Sequence, residues 1–92
     1  MNEKDHYLKA IESWGKPFQI LMLSEECGEL LSAVSKWQRG RNTELDVIEE
    51  MADVIIMIRQ ILVVMGREPD SDVLKEMIIK KLAKMEKHFK EK

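Results

Sequence analysis

The sequence predicts an all-α protein, a four-helix bundle-like subunit that is completed by oligomerisation. Three observations point there. Glycine and proline fall at intervals that cut the chain into four segments of helical length. Within those segments, apolar residues recur every three or four positions. The third segment is apolar on nearly all sides, which 92 residues can hardly cover alone. The chain reads as one domain, residues 1–92.

The first helix is expected over about Asn2 to Ser13, with Asn2 as N-cap and Tyr7, Leu8 and Ile11 as a weak apolar face. Trp14-Gly15-Lys16-Pro17 breaks it. The second starts near Pro17, where proline suits a first turn, and ends at Arg39-Gly40-Arg41 with Gly40 as the C′ residue. Asn42 or Thr43 caps the third, and Glu44 and Asp46 sit well near its positive end. It runs to about Met65, some 35 Å, and Gly66 stops it. Arg67 to Ser71 is a turn. The fourth runs to about Phe89, with an apolar stripe of Leu74, Ile78, Leu82, Met85 and Phe89 that is expected to cover a core.

After Asp53 the third helix has Val54, Ile55, Ile56, Met57, Ile58, Ile61, Leu62, Val63 and Val64. Such a helix wants neighbours on every side, so it is expected at the centre of an oligomer, most simply a two-fold dimer.

Composition excludes several function classes. The apolar content is 45%, the charged content 35% and the net charge −2, which argues against duplex nucleic acid as a partner. The longest apolar run, Val54 to Met65, is interrupted by Arg59 and Gln60 and is too short to span a bilayer. Met1 to Ala10 is too polar for a signal peptide, and Cys27 is the lone cysteine. A cytoplasmic location is the expectation.

Two acidic clusters carry the chemistry. Glu25, Glu26 and Glu29 lie in the second helix, and Glu49, Glu50 and Asp53 in the third. Acidic residues on helices are ordinarily solvated, so the face they occupy decides. Asp46, Glu50, Asp53, Met57, Ile61 and Val64 share one stripe, and so do Met22, Glu26, Glu29 and Ala33. Glu26, Glu29, Glu50 and Asp53 therefore border seams that are otherwise buried. Converging carboxylates repel one another, and a bound cation resolves that. Glu26/Glu29 and Glu50/Asp53 are both i, i+3 pairs. A short link between antiparallel helices can bring both to one point. All-oxygen ligands favour Mg2+, with Mn2+ as the alternative. His6 and His88 are remote in sequence, which counts against the Glu-x-x-His chemistry of di-iron bundles. Glu49 points off the stripe and ranks below Glu50.

Glu-Glu-x-x-Glu at 25–29 followed by Glu-x-x-Asp at 50–53 resembles the MazG-type nucleoside triphosphate pyrophosphohydrolases. Trp14-Gly15, Gln19, the run Leu23 to Leu30, Glu49 to Val54 and the lysine-rich last helix share in the resemblance, which extends from about Trp14 to Phe89. It implies an all-α fold that forms a dimer or a dimer of dimers. It implies magnesium-dependent cleavage of a nucleoside triphosphate between its α and β phosphates, giving a monophosphate and pyrophosphate. Glu26, Glu29, Glu50 and Asp53 would be the metal ligands. Glu25 would bind a further metal or orient the attacking water as general base.

Among substrate-binding candidates, Trp14 can stack on a base and Gln19 can hydrogen-bond one, although a surface glutamine is the plainer reading of Gln19. Trp37 continues the apolar row of its helix and reads at least as well as core. Lys36 and Arg39, with Arg41 beside them, can pair with phosphates or simply suit a helix C-terminus. Lys81 is the best placed lysine of the last helix. Two other readings stand beside the triphosphate pyrophosphohydrolase: a non-catalytic helical dimerisation or interaction module, and a phosphoribosyl-nucleotide pyrophosphohydrolase.

Overall fold

Each helix starts and stops where local chemistry closes its ends. The computed structural model describes residues 1–91, and these form four α-helices and no strand. They are α1 (Glu3–Trp14), α2 (Lys16–Gln38), α3 (Glu44–Val64) and α4 (Asp72–Lys90). The sequence expectations hold to within one or two residues. At the start of α1, Asp5 N donates to Asn2 Oδ1 at 2.8 Å, and Asn2 N donates back to Asp5 Oδ2 at 3.3 Å. Thr43 and Asp46 form the same reciprocal box ahead of α3, with Thr43 N donating to Asp46 Oδ2 at 2.8 Å. Ser71 caps α4.

The end of α2 shows why glycine stands at position 40. Gly40 N donates to Trp37 O at 3.0 Å and Arg41 N to Lys36 O at 2.8 Å, with Gly40 at φ 69°. That pair of bonds satisfies carbonyls the helix leaves open, and it requires a left-handed residue between them. Residues 39–43 then return the chain, and α3 packs along α2 as its main neighbour. Asn42 Nδ2 donates to Ala33 O at 3.1 Å, which pins the link to the body of α2.

Helix α1 lies across both, held by polar contacts the sequence did not announce. Gln60 is 3% exposed and donates from Nε2 to Tyr7 O at 2.9 Å. Arg59 pairs with Glu3 at 2.7 Å, and Tyr7 Oη donates to the same carboxylate. Lys4 meets Glu68 at 2.6 Å. These contacts fix the direction of α1 relative to α3.

The core that α4 is expected to cover is not supplied by its own chain. No Cα of α4 comes within 8 Å of a Cα in α1, α2 or α3, and none of its residues is buried. Leu74, Ile78, Leu82, Met85 and Phe89 are all exposed. The bundle within one chain is thus three helices with a fourth projecting. The amphipathic stripe correctly announces that α4 wants an apolar neighbour, but a stripe cannot say which helix supplies it.

The interior is correspondingly thin. Among the described residues the buried apolar ones are Tyr7, Ala33, Val47 and Val63. The chain exposes 7302 Å², against about 5,500 Å² for a compact monomer of its mass. Its radius of gyration is 16.2 Å, against about 12 Å for a compact chain of this length.

Candidate metal centre

The pairing of α2 with α3 brings the two acidic clusters together. Glu26 and Glu29 project from α2 towards Glu50 of α3, and one carboxylate oxygen from each lies within 4.8 Å of the others. The trio joins two stretches separated by more than twenty residues, which the return at residues 39–43 makes adjacent.

Their surroundings differ from those of an ordinary acidic surface. Glu26 and Glu50 are half-buried, and Oε2 of each is shut off from solvent with no hydrogen-bond partner. A carboxylate oxygen in that position has lost its water without replacement, which is costly while it carries charge. Burial accordingly pushes the Glu26 and Glu50 carboxyls above their usual range. The negative charges of Glu29 and Asp53 raise both further. Asp53 is half-buried and close enough to act on both, but it stands outside the tight trio. Glu49 is exposed and adds a smaller upward push on Glu50.

The donor set fits a divalent cation. Two orphaned oxygens, a third carboxylate within reach and a fourth alongside supply what a hard cation takes from protein, and all are oxygen. Glu26, Glu29 and Glu50 would hold such an ion, with Asp53 completing the set.

Beside the trio lies an open groove of about 440 Å³ whose lining includes Glu29, Glu50, Lys36 and Arg41. Lys36 is therefore the substrate candidate that the fold delivers next to the carboxylates. Of the two arginines of that cluster, Arg41 lines the groove, whereas Arg39 donates from Nε to Ser35 O at 3.3 Å. Ser32 and Asn42 also line the groove. Ser32 lies three residues after Glu29, so helical spacing could have found it. Asn42 is a loop residue, and no spacing rule reaches it.

Other candidates fall elsewhere. Gln19 is a correction: it is 4% exposed and donates from Nε2 to Ala10 O at 3.3 Å, so its amide ties α2 to α1 instead of meeting a ligand. Trp14 sits at the end of α1, exposed, 6.1 Å from the Phe18 ring. It lines a different cavity, with Met1, His6 and Lys9. Lys81 is on α4 and touches nothing near the trio in its own chain. Glu25 is exposed, round the helix from Glu26. Trp37 is half exposed rather than core, and lines an apolar pocket with Val47, Ile48 and Met51. No helix among the described residues is long and apolar enough to cross a membrane.

Comparison with protein-family models, with curated proteins and with solved structures finds no match for this chain.

Proposed function

We propose that this chain is a divalent-metal-dependent nucleoside triphosphate pyrophosphohydrolase that works as a homo-oligomer. It hydrolyses a ribo- or deoxyribonucleoside triphosphate between the α and β phosphates, consuming one water and releasing a nucleoside monophosphate and pyrophosphate. The observation that carries this reading is the Glu26–Glu29–Glu50 convergence, with two desolvated oxygens lacking any partner.

Phosphoryl transfer asks chiefly for positioning and charge neutralisation, and an acidic pocket by itself would repel a triphosphate. Mg2+ or Mn2+, when bound, supplies the positive charge that offsets both the carboxylates and the phosphates. The chain's own residues do the rest. Glu26, Glu29 and Glu50, with Asp53 beside them, hold the cation. Lys36 and Arg41 stand in the adjoining groove, where an ammonium and a guanidinium can meet phosphate oxygens. Glu25 is solvent-exposed one residue before the first ligand, where it can take a proton from water or hold a second ion. The large exposed apolar surface supports the oligomer.

The test is direct. The chain is incubated with Mg2+ and a panel of nucleoside triphosphates and phosphoribosylated nucleotides, and the products are separated. Monophosphate and pyrophosphate, lost in Glu50→Gln, are the expected result. Release of inorganic phosphate, or turnover only of a phosphoribosylated nucleotide, overturns the assignment of substrate. An unchanged panel, with no Mg2+- or Mn2+-dependent shift in melting temperature, leaves the interaction-module reading in its place.

A further inference from the structure

The link between α2 and α3 holds a third orphaned oxygen, on a residue outside the acidic clusters. Asn42 donates from Nδ2 to Ala33 O at 3.1 Å. That contact fixes which way the amide lies, since the reverse would set two acceptors against each other. The other end of the amide, Oδ1, is shut off from solvent and has no hydrogen-bond partner. A buried acceptor in that state has lost water without replacement and is satisfied only when a donor arrives.

Donors stand around it. Asn42 lines the groove beside the carboxylate trio, and Ser32, Lys36 and Arg41 line the same groove. Lys36 and Arg41 are exposed and form no ion pair among the described residues. Lys36 follows Ala33 by three residues on α2 and so shares its face. Helical side chains lean towards the N-terminus, which carries the Lys36 ammonium over the turn where Asn42 is pinned.

We propose that Asn42 is a positioning residue for phosphate, whose Oδ1 accepts from the Lys36 ammonium when a pyrophosphate group occupies the groove. This rests on the reading of the site as a triphosphate pyrophosphohydrolase. An ammonium is a point charge with three donors on a flexible stem, and nothing in it fixes a direction. With one donor held by Oδ1, the other two face the phosphate oxygens. The lysine is then ordered where it acts, and the orphaned acceptor is paired. An amide does this without the negative charge that an aspartate would set against the phosphates.

The experiment is titration calorimetry of inorganic pyrophosphate, with Mg2+ present, into the full chain and its Asn42→Ala, Lys36→Ala and doubly substituted forms. Each single change is expected to weaken binding by about 10-fold or more. The double variant is expected to bind no more weakly than Lys36→Ala, because the Asn42 oxygen acts only through the ammonium. In an Arg41→Ala background the Asn42 loss is expected to persist. Additive losses with Lys36→Ala, or a loss that vanishes with Arg41→Ala, overturn the proposal. The native chain supplies a readout that does not depend on how Asn42→Ala folds. Saturating pyrophosphate with Mg2+ should shift the Asn42 side-chain amide in nitrogen-15 spectra, and should leave it in place in Lys36→Ala. A native chain that cleaves nucleoside triphosphates with this amide unmoved overturns the role of Asn42 alone. A native chain that binds no pyrophosphate and cleaves no triphosphate overturns the underlying reading as well.

Discussion

The α2–α3 pair and α4 are built to the same local rules and end in opposite situations. Helices α3 and α4 start on side-chain caps and α2 on a first-turn proline, and all three carry apolar residues at helical spacing. The pair closes on itself through residues 39–43, hides Ala33 and Val47, and forces three carboxylates together. Helix α4 follows a link of similar length, from Met65 to Ser71, and among the described residues it packs against no other helix. The difference teaches that caps and stripes make helices, whereas the geometry of the connection decides whether a stripe is spent within the chain. In the first link, Asn42 bonds back to Ala33 and draws α3 onto α2. In the second, Lys4 holds Glu68 towards α1, and no side chain bonds α4 back to α3.

The comparison is sharpened most by Glu50→Gln. If the hairpin exists to hold a cation, metal-dependent hydrolysis should fall by more than about 100-fold, the upper end of what even outer-shell changes cost. Without metal the same variant should melt higher than the native chain at neutral pH, because it removes a desolvated charge. The sign follows from the raised carboxyls. Glu26 and Glu50 favour the folded state below the ordinary carboxylate range and lose that contribution as pH rises through their elevated values. The margin between variant and native should therefore widen with pH, as read by thermal melts in chelator. A margin independent of pH would mean the oxygens are not desolvated in solution.

Next in size is the tie between α1 and α3. Gln60→Ala removes a buried side-chain bond to Tyr7 O, a carbonyl that keeps its bond within α1, so chemical denaturation should show a loss of about 1 kcal/mol. A change near zero would mean that α1 is held by its surface pairs instead. Gly40→Ala should cost about 1 kcal/mol through left-handed strain alone, since nothing lies within 4 Å of the added methyl group. A larger loss would show that the α2–α3 link carries more of the fold than its own conformation.

The smallest expected effect concerns the cap of α3. Asp46 accepts from the Thr43 backbone and hydroxyl, which holds its carboxyl below the usual range. That contribution is present above the unfolded-state value and is lost as pH falls through the lowered one. Thr43→Ala should destabilise by about 1 kcal/mol at neutral pH through the lost helix cap, and the deficit should shrink in acid only by the share the hydroxyl contributes, because the Thr43 backbone N–H still donates to Asp46. A constant deficit would place the cost in the helix itself and not in the Asp46 charge. This pH dependence runs opposite to that of Glu50→Gln, so the two variants separate structural carboxylates from those of the candidate metal centre.

Much of the site was legible before the fold. Glu26, Glu29 and Glu50 fall on the stripes that α2 and α3 turn towards each other, because spacing on a helix fixes direction. Asp53 lies on the same stripe but outside the tight trio, since spacing gives a face and not a distance. Arg41 reached the groove through a loop, where periodicity has no purchase. Gln19 and Gln60 were misjudged or passed over for a related reason. An amide reads as surface until a backbone carbonyl from another helix arrives to meet it, as those of Ala10 and Tyr7 do.

By itself, the sequence determined the four helices, their ends and the face each acidic residue takes. These depend on contacts within four residues along the chain, and side-chain chemistry settles such contacts locally. Only the tertiary structure decided that Glu50 meets Glu26 and Glu29, that Gln19 is buried, and that α4 stands clear of its own core. Those outcomes depend on the direction the chain takes after each turn, which small differences in a few backbone angles set over the length of a helix.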